Sequence, residues 1–156
     1  MKTEINKTQT IALSVLRVLI GWHFLYEGMV KVVNPQWSAY SFLNGSAGPF
    51  SGFFQLLASN DTVLQTVDLL NEWGLVLIGF SLIVGLFSKW SALAGIFLLG
   101  FYYLSHPPFI GIPASNVEGN YLIVNENLIE IAALWVLYLF QTQKVYGLER
   151  IIKIDL

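Results

Sequence analysis

The sequence predicts an all-α integral membrane protein: a four-helix transmembrane bundle with a short interfacial helix in its first extracytoplasmic link. Three observations predict it. Of 156 residues, 55% are hydrophobic and 12% charged, against about 25% charged in a soluble domain. The apolar residues gather into four long stretches separated by polar or turn-forming links. The few ionisable residues within those stretches recur at helical spacing, as they do when they face a bundle interior.

A helix needs about 20 residues to cross a hydrocarbon core of about 30 Å. Span one is expected over 11–31, where Arg17, His23 and Glu27 interrupt the apolar run and argue for a retained helix over a cleaved signal peptide. Span two is expected over 68–87, preceded by Asn60-Asp61 as a capping pair. Span three, over 89–106, follows a tight turn at Phe87-Ser88-Lys89-Trp90 that forces an antiparallel pair. Span four is expected over 121–140, after a link carrying Pro107, Pro108, Gly111, Pro113 and Gly119. The long first link holds Phe50, Phe53, Phe54, Leu56 and Leu57, a run too short to span and so read as an interfacial or re-entrant helix. Strands are not an option, because a lipid-exposed backbone must pair internally and a barrel would need many more segments. One domain over 1–156 follows, with no internal repeat.

Orientation comes from lysine and arginine. Lys2 and Lys7 precede span one, Lys89 sits between spans two and three, and Lys144, Arg150 and Lys153 follow span four. The positive-inside rule then puts both termini in the cytoplasm and the first and third links outside. A bacterial or archaeal cytoplasmic membrane is the expected location.

The polar residues within the spans are the candidate site. His23, Glu27 and Lys31 lie four apart and stack on one helix face, with Arg17 at its edge. Span two offers Asp68, Asn71 and Glu72; span three Tyr102 and His106; span four Glu126, Asn127 and Glu130. The orientation puts all of these except Arg17 in the outer half, at one level. His23, Glu27, Glu72 and Glu130 are the candidate catalytic groups. Arg17, Lys31, Asn71, Tyr102, His106, Glu126 and Asn127 are the candidate substrate-binding groups. Five carboxylates against Arg17 and Lys31 leave a deficit of positive charge. Balance requires a bound proton, a charged histidine or a cation. Simpler roles stand beside these. Asp68 and Glu126 can be solvated at headgroup level, His106 can be a helix-end residue, and His23–Glu27–Lys31 can be a structural ladder. Glycines 21, 28, 79, 85, 95 and 100 are expected to permit close helix approach. Trp22, Tyr26, Trp37, Trp73, Trp90 and Trp135 are expected at interfaces or facing lipid.

The absence of cysteine excludes disulfides, thiol relays, thiolate metal sites and iron–sulfur centres. With two histidines, no metal site is expected and no tightly bound cofactor is encoded. A net charge of −2 gives no sign of nucleic-acid binding.

Span one carries an arginine, a glycine four residues on, and Gly-x-x-Lys at its exit: Arg17, Gly21, Gly28 and Lys31. With Glu72 and Gly79 in span two, the short Lys89 turn and the four-span layout, the chain resembles the DoxX/DoxD membrane protein family. The long first link is closer to the DoxD-type branch. The resemblance implies a membrane subunit of a quinone-linked oxidoreductase of the thiosulfate:quinone type, with quinone as substrate and Arg17, Gly21, Gly28, Lys31 and Glu72 as the matching positions. It also implies a partner: the companion DoxA-type segment is not in this chain, so an extracytoplasmic redox subunit would supply it. Homo-oligomerisation is a further expectation, beside the lipid bilayer itself. Three other functions remain open: a non-enzymatic accessory or assembly subunit, a small proton-coupled carrier, and a lipid-modifying enzyme with paired acid and base groups.

Overall fold

A computed structural model describes residues 6–108 and 122–152. Among them are seven α-helices, one 3-10 turn and no strand. In chain order the helices are α1 (Lys7–Val33), α2 (Tyr40–Asn44), α3 (Ser51–Ala58), α4 (Asp61–Val84), α5 (Ser88–Ser105), α6 (Glu126–Leu139) and α7 (Leu148–Ile152), with the 3-10 turn at Thr142–Lys144. Two of them, α1 and α4, are long and apolar enough to cross a membrane. Lys2, Lys153, Tyr121 and most of the third link lie outside the described residues.

Capping sets the boundaries. Asn6 and Gln9 form a reciprocal capping box at the start of α1, which therefore begins before the apolar stretch. Asn60 accepts from the Thr62 and Val63 N–H groups and starts α4, as its sequence predicts. The helix thus runs seven residues ahead of the expected span. The α4–α5 turn is Gly85–Leu86–Phe87, with Gly85 and Phe87 both left-handed. Ser88, Lys89 and Trp90 belong to the first turn of α5, not to the connection as the sequence reading had it. The largest boundary difference is at α6. Asn125, extended and buried, accepts from Leu128 N–H at 3.1 Å, and the helix starts only at Glu126. At 14 residues, α6 is about 21 Å long.

Helices α1, α4, α5 and α6 surround one apolar core. Its residues are Ile20 and Phe24 from α1, Leu75, Ile78 and Leu82 from α4, Ala92 and Leu99 from α5, and Leu134 and Leu137 from α6. Glycines let α1 and α4 touch backbone to backbone. A Cβ on Gly79 would lie 2.3 Å from Leu25 N, one on Gly28 2.7 Å from Val76 N, and one on Gly21 2.9 Å from Gly79 O. Gly95 makes room for Leu134 and Phe24. Gly100 does not fit this expectation, since nothing lies within 4 Å of its would-be Cβ. The α1 face that carries Gly21 and Gly28 is therefore spent on α4. Helix α1 packs along most of α4 and α5 along α6, with α4 and α5 in looser contact; α1 and α6 meet over the shortest stretch.

The first link folds into α2 and α3. The sequence anticipated a helix near α3, but not α2, which has no side-chain cap. Ala39, Leu43, Phe54 and Ala58 form a second small core that packs on Leu64 and Val67 of α4. Large apolar side chains stay exposed around the bundle: Leu19 and Trp22 on α1, Leu70 and Leu77 on α4, Phe97 and Phe101 on α5, Ile129 and Trp135 on α6.

Candidate functional site

The register between α1 and α4 decides which polar residues can meet. Gly28 lies against Val76 and Leu25 against Gly79, so Asn71 falls level with the C-terminal end of α1. His23 lies about 15 Å from that level, at 1.5 Å per residue. Lys31, two residues from that end, is level with Asn71, and Glu27 lies within electrostatic reach of both His23 and Tyr102. The polar groups form two clusters on different sides of the bundle, with Glu27 between them and Arg17 apart, as the sequence expects.

The first cluster lines the seam between α1 and α6. His23 Nδ1 pairs with Glu130 Oε1 across that seam. The His23 side chain is 50% exposed and that of Glu130 19%, so the pair sits at the rim of the bundle. Glu27 and Glu126 lie within electrostatic reach of His23. One turn nearer the C-terminal end of α1, Lys31 Nζ donates to Glu27 Oε2 at 3.2 Å and lies 5.6 Å from the centroid of the Trp37 ring. His23, Glu27 and Lys31 thus climb α1 in steps of one turn, about 6 Å each. The seam forms here because the opposite side of α1 is committed to α4, leaving the His23 stripe to face the one neighbour it barely touches.

The second cluster lies between α4, α5 and α2. Asn71 Nδ2 donates to the Tyr102 hydroxyl at 2.6 Å. Phe42 covers the pair, with ring centroids 5.5 Å from Tyr102 and 4.3 Å from His106. The Ser46 hydroxyl and the Ala47 N–H both donate to the Ser105 carbonyl and dock α2 on the end of α5. Asn71 Oδ1, Ser105 Oγ and His106 Nδ1 are buried without a hydrogen-bond partner among the described residues. His106 is also the C-cap of α5, the helix-end role that its sequence position before Pro107 allowed.

The remaining candidates separate. Glu72 is half-buried one turn from Val76, on the approach to the α1 end. Asn127 stands partly exposed in the first turn of α6, next to the exposed Glu126 of the first cluster. Asp68 accepts from the Ala39 N–H at 2.8 Å and ties the first link to α4. Arg17 is the outlier: 3% exposed, it donates from Nη1 to Thr142 Oγ1 at 3.3 Å and from Nη2 to the Tyr146 carbonyl at 2.5 Å. It belongs to the opposite end of the bundle and is not a binding group for either cluster. The sequence already set Arg17 apart from the other polar groups; what it did not show is that the chain after α6 returns to cover it.

Sequence reasoning missed Phe42, Ser105, Thr142 and Glu149. Phe42 had a signal, as an aromatic in a link otherwise read as loop. The others had none, because each is placed by tertiary contacts. Among the described residues no group of three or more His, Asp or Glu side chains is arranged to hold a metal ion. Comparison with models of known families, with curated proteins and with solved structures found no match to this chain.

Proposed function

We propose that this chain is a four-span integral membrane protein whose α1–α6 seam binds a quinone head group. In this reading it is a DoxX/DoxD-like subunit of a quinone-linked oxidoreductase, with both termini cytoplasmic. Support for the membrane assignment comes from α1 and α4 and from large apolar side chains exposed on all four long helices. Water would penalise such a surface and lipid would not. Helices α5 and α6, at 18 and 14 residues, are the third and fourth spans in this reading.

The observation that carries the ligand class is the half-exposed His23–Glu130 pair. An imidazole and a carboxylate at bilayer depth are costly unless they serve function or partner each other. Here they face a seam rather than the packed core. Quinone reduction takes two electrons and two protons at oxygen atoms that sit in an apolar medium. His23 is placed to hand a proton to one carbonyl oxygen, and Glu130 to hold the imidazole in position. Glu27, Lys31 and Glu126 extend from that pair toward the outer end, so protons exchange with the outside. The isoprenoid tail remains in the surrounding lipid. With thiosulfate as donor, two anions join through a sulfur–sulfur bond and release the two electrons the quinone takes up. The partner subunit would present them.

The test is quinone reduction in proteoliposomes with thiosulfate as donor, with the extracytoplasmic partner added and omitted. Turnover that vanishes in Glu130→Gln and in His23→Phe supports the reading. No turnover by the folded protein under either condition moves the chain to the class of accessory subunits.

A further inference from the structure

The segment after α6 plays no part in the proposed site, yet it is held more tightly than a tail needs to be. Arg17 grips it through Thr142 and the Tyr146 carbonyl. Glu149, 6% exposed, accepts from the Ser88 N–H at 3.2 Å, and its own N–H donates to the Gly85 carbonyl at 3.1 Å. Gly147 packs so closely on Gly85 that a Cβ on Gly85 would lie 2.6 Å from the Gly147 Cα. Gln143 is fully buried beside them. The inward side of 142–152 is therefore polar and pinned to α1 and to the α4–α5 turn.

Its outward side is the reverse. Val145, Leu148, Ile151 and Ile152 are exposed, Ile151 to 75%. Lys144 and Arg150 are exposed among them. A segment that is polar inside and apolar outside suits neither water nor the hydrocarbon core. It suits the headgroup layer, where aliphatic side chains dip inward and cations meet phosphate. Lys89, in the first turn of α5, lies at the same end of the bundle. The orientation read from the cations faces this end to the cytoplasmic leaflet, whose lipids are anionic.

We propose that Val145, Leu148, Ile151 and Ile152, with Lys144 and Arg150, dock on anionic phospholipid headgroups of the cytoplasmic leaflet, and that Arg17 and Glu149 are positioning residues that aim this face at lipid. The proposal rests on the membrane reading but not on the quinone. It also closes the cytoplasmic end of the bundle, leaving the seam to exchange with the outside.

The chain has no cysteine, so single introduced thiols report without background. Ile151→Cys and Leu77→Cys are placed in nanodiscs of phosphatidylcholine alone or of an equal mixture with phosphatidylglycerol, and labelled with a membrane-impermeant maleimide. Each cation near an anionic surface strengthens binding about fivefold, so Ile151→Cys should react on the order of 30-fold more slowly in the anionic discs. Adding Lys144→Gln and Arg150→Gln, both at exposed sites, should erase the difference, and Glu149→Ala, which removes the acceptor of the Ser88 N–H, should restore fast labelling. Equal rates in the two lipids overturn the proposal. So does protection that follows protein concentration, which would assign the face to a second copy. Leu77→Cys separates the two readings: fast labelling there in both discs overturns the membrane assignment itself, whereas fast labelling of Ile151→Cys alone overturns only the docking surface.

Discussion

Asp68 and Glu130 are both carboxylates on apolar helices, and the structure employs them differently. Asp68 accepts the Ala39 N–H, a buried backbone donor that would otherwise have no partner. Asp68→Leu should cost about 1–3 kcal/mol in thermal unfolding, the penalty for an orphaned buried donor, while leaving quinone turnover per folded molecule unchanged. Glu130→Gln keeps the size of the side chain and its capacity to bond His23 but removes the charge. It should lower turnover about a hundredfold, because a neutral amide no longer stabilises the charged imidazole that gives up the proton, with little change in unfolding temperature. Seeing both effects in both variants would contradict this division. The sequence made the His23–Glu27–Lys31 ladder legible because it is local, each residue one helical turn from the next. The His23–Glu130 pair spans 107 residues and depends on which helix stands beside α1, which no local pattern encodes. The partners of Arg17 were hidden for the same reason: the segment that covers it carries no hydropathy signal.

Glycine spacing was the better guide at the scale of helices, with one exception. Gly79→Ala would drive a methyl group into the Leu25 backbone and should destabilise by about 1–3 kcal/mol or more, as overpacking does. Gly74, with nothing within 4 Å of its would-be Cβ, lies in the same helix and makes the contrast. Gly74→Ala should stabilise by up to about 1 kcal/mol through helix propensity alone. Unfolding temperatures of the two variants in one detergent decide the matter, and similar losses in both would contradict the α1–α4 register. Phe87 is left-handed at φ 55°, a conformation that favours glycine. Its ring is exposed, so Phe87→Gly should be neutral or mildly stabilising. Helix starts were legible where an asparagine caps them, as at Asn60. Asn125 carries the same signal. The hydropathy of the residues before it outweighed that signal, so the helix start at Glu126 was not read from the sequence. Helix α2 was invisible because five uncapped residues have no period to detect.

At the scale of the whole molecule, four helices close on three sides and meet only briefly on the fourth. The composition and the apolar stretches made the all-helical class and the order of the long helices readable. They could not show that the polar groups divide between the α1–α6 seam and a nest roofed by Phe42, because that division depends on which elements stand beside α1 and α4. A closed bundle would bury His23. This one leaves half of its side chain exposed at the α1–α6 rim, within electrostatic reach of Glu27 and Glu126.

Equilibrium binding of a short-chain quinone to the protein in nanodiscs addresses that seam most directly, because it needs neither a donor nor a partner. The account predicts saturable binding that weakens at least tenfold in His23→Phe and survives Arg17→Lys, since the His23–Glu130 pair touches the head group and Arg17 lies at the other end. Binding that is absent from the folded wild type, or that ignores His23 and follows Arg17, would contradict it.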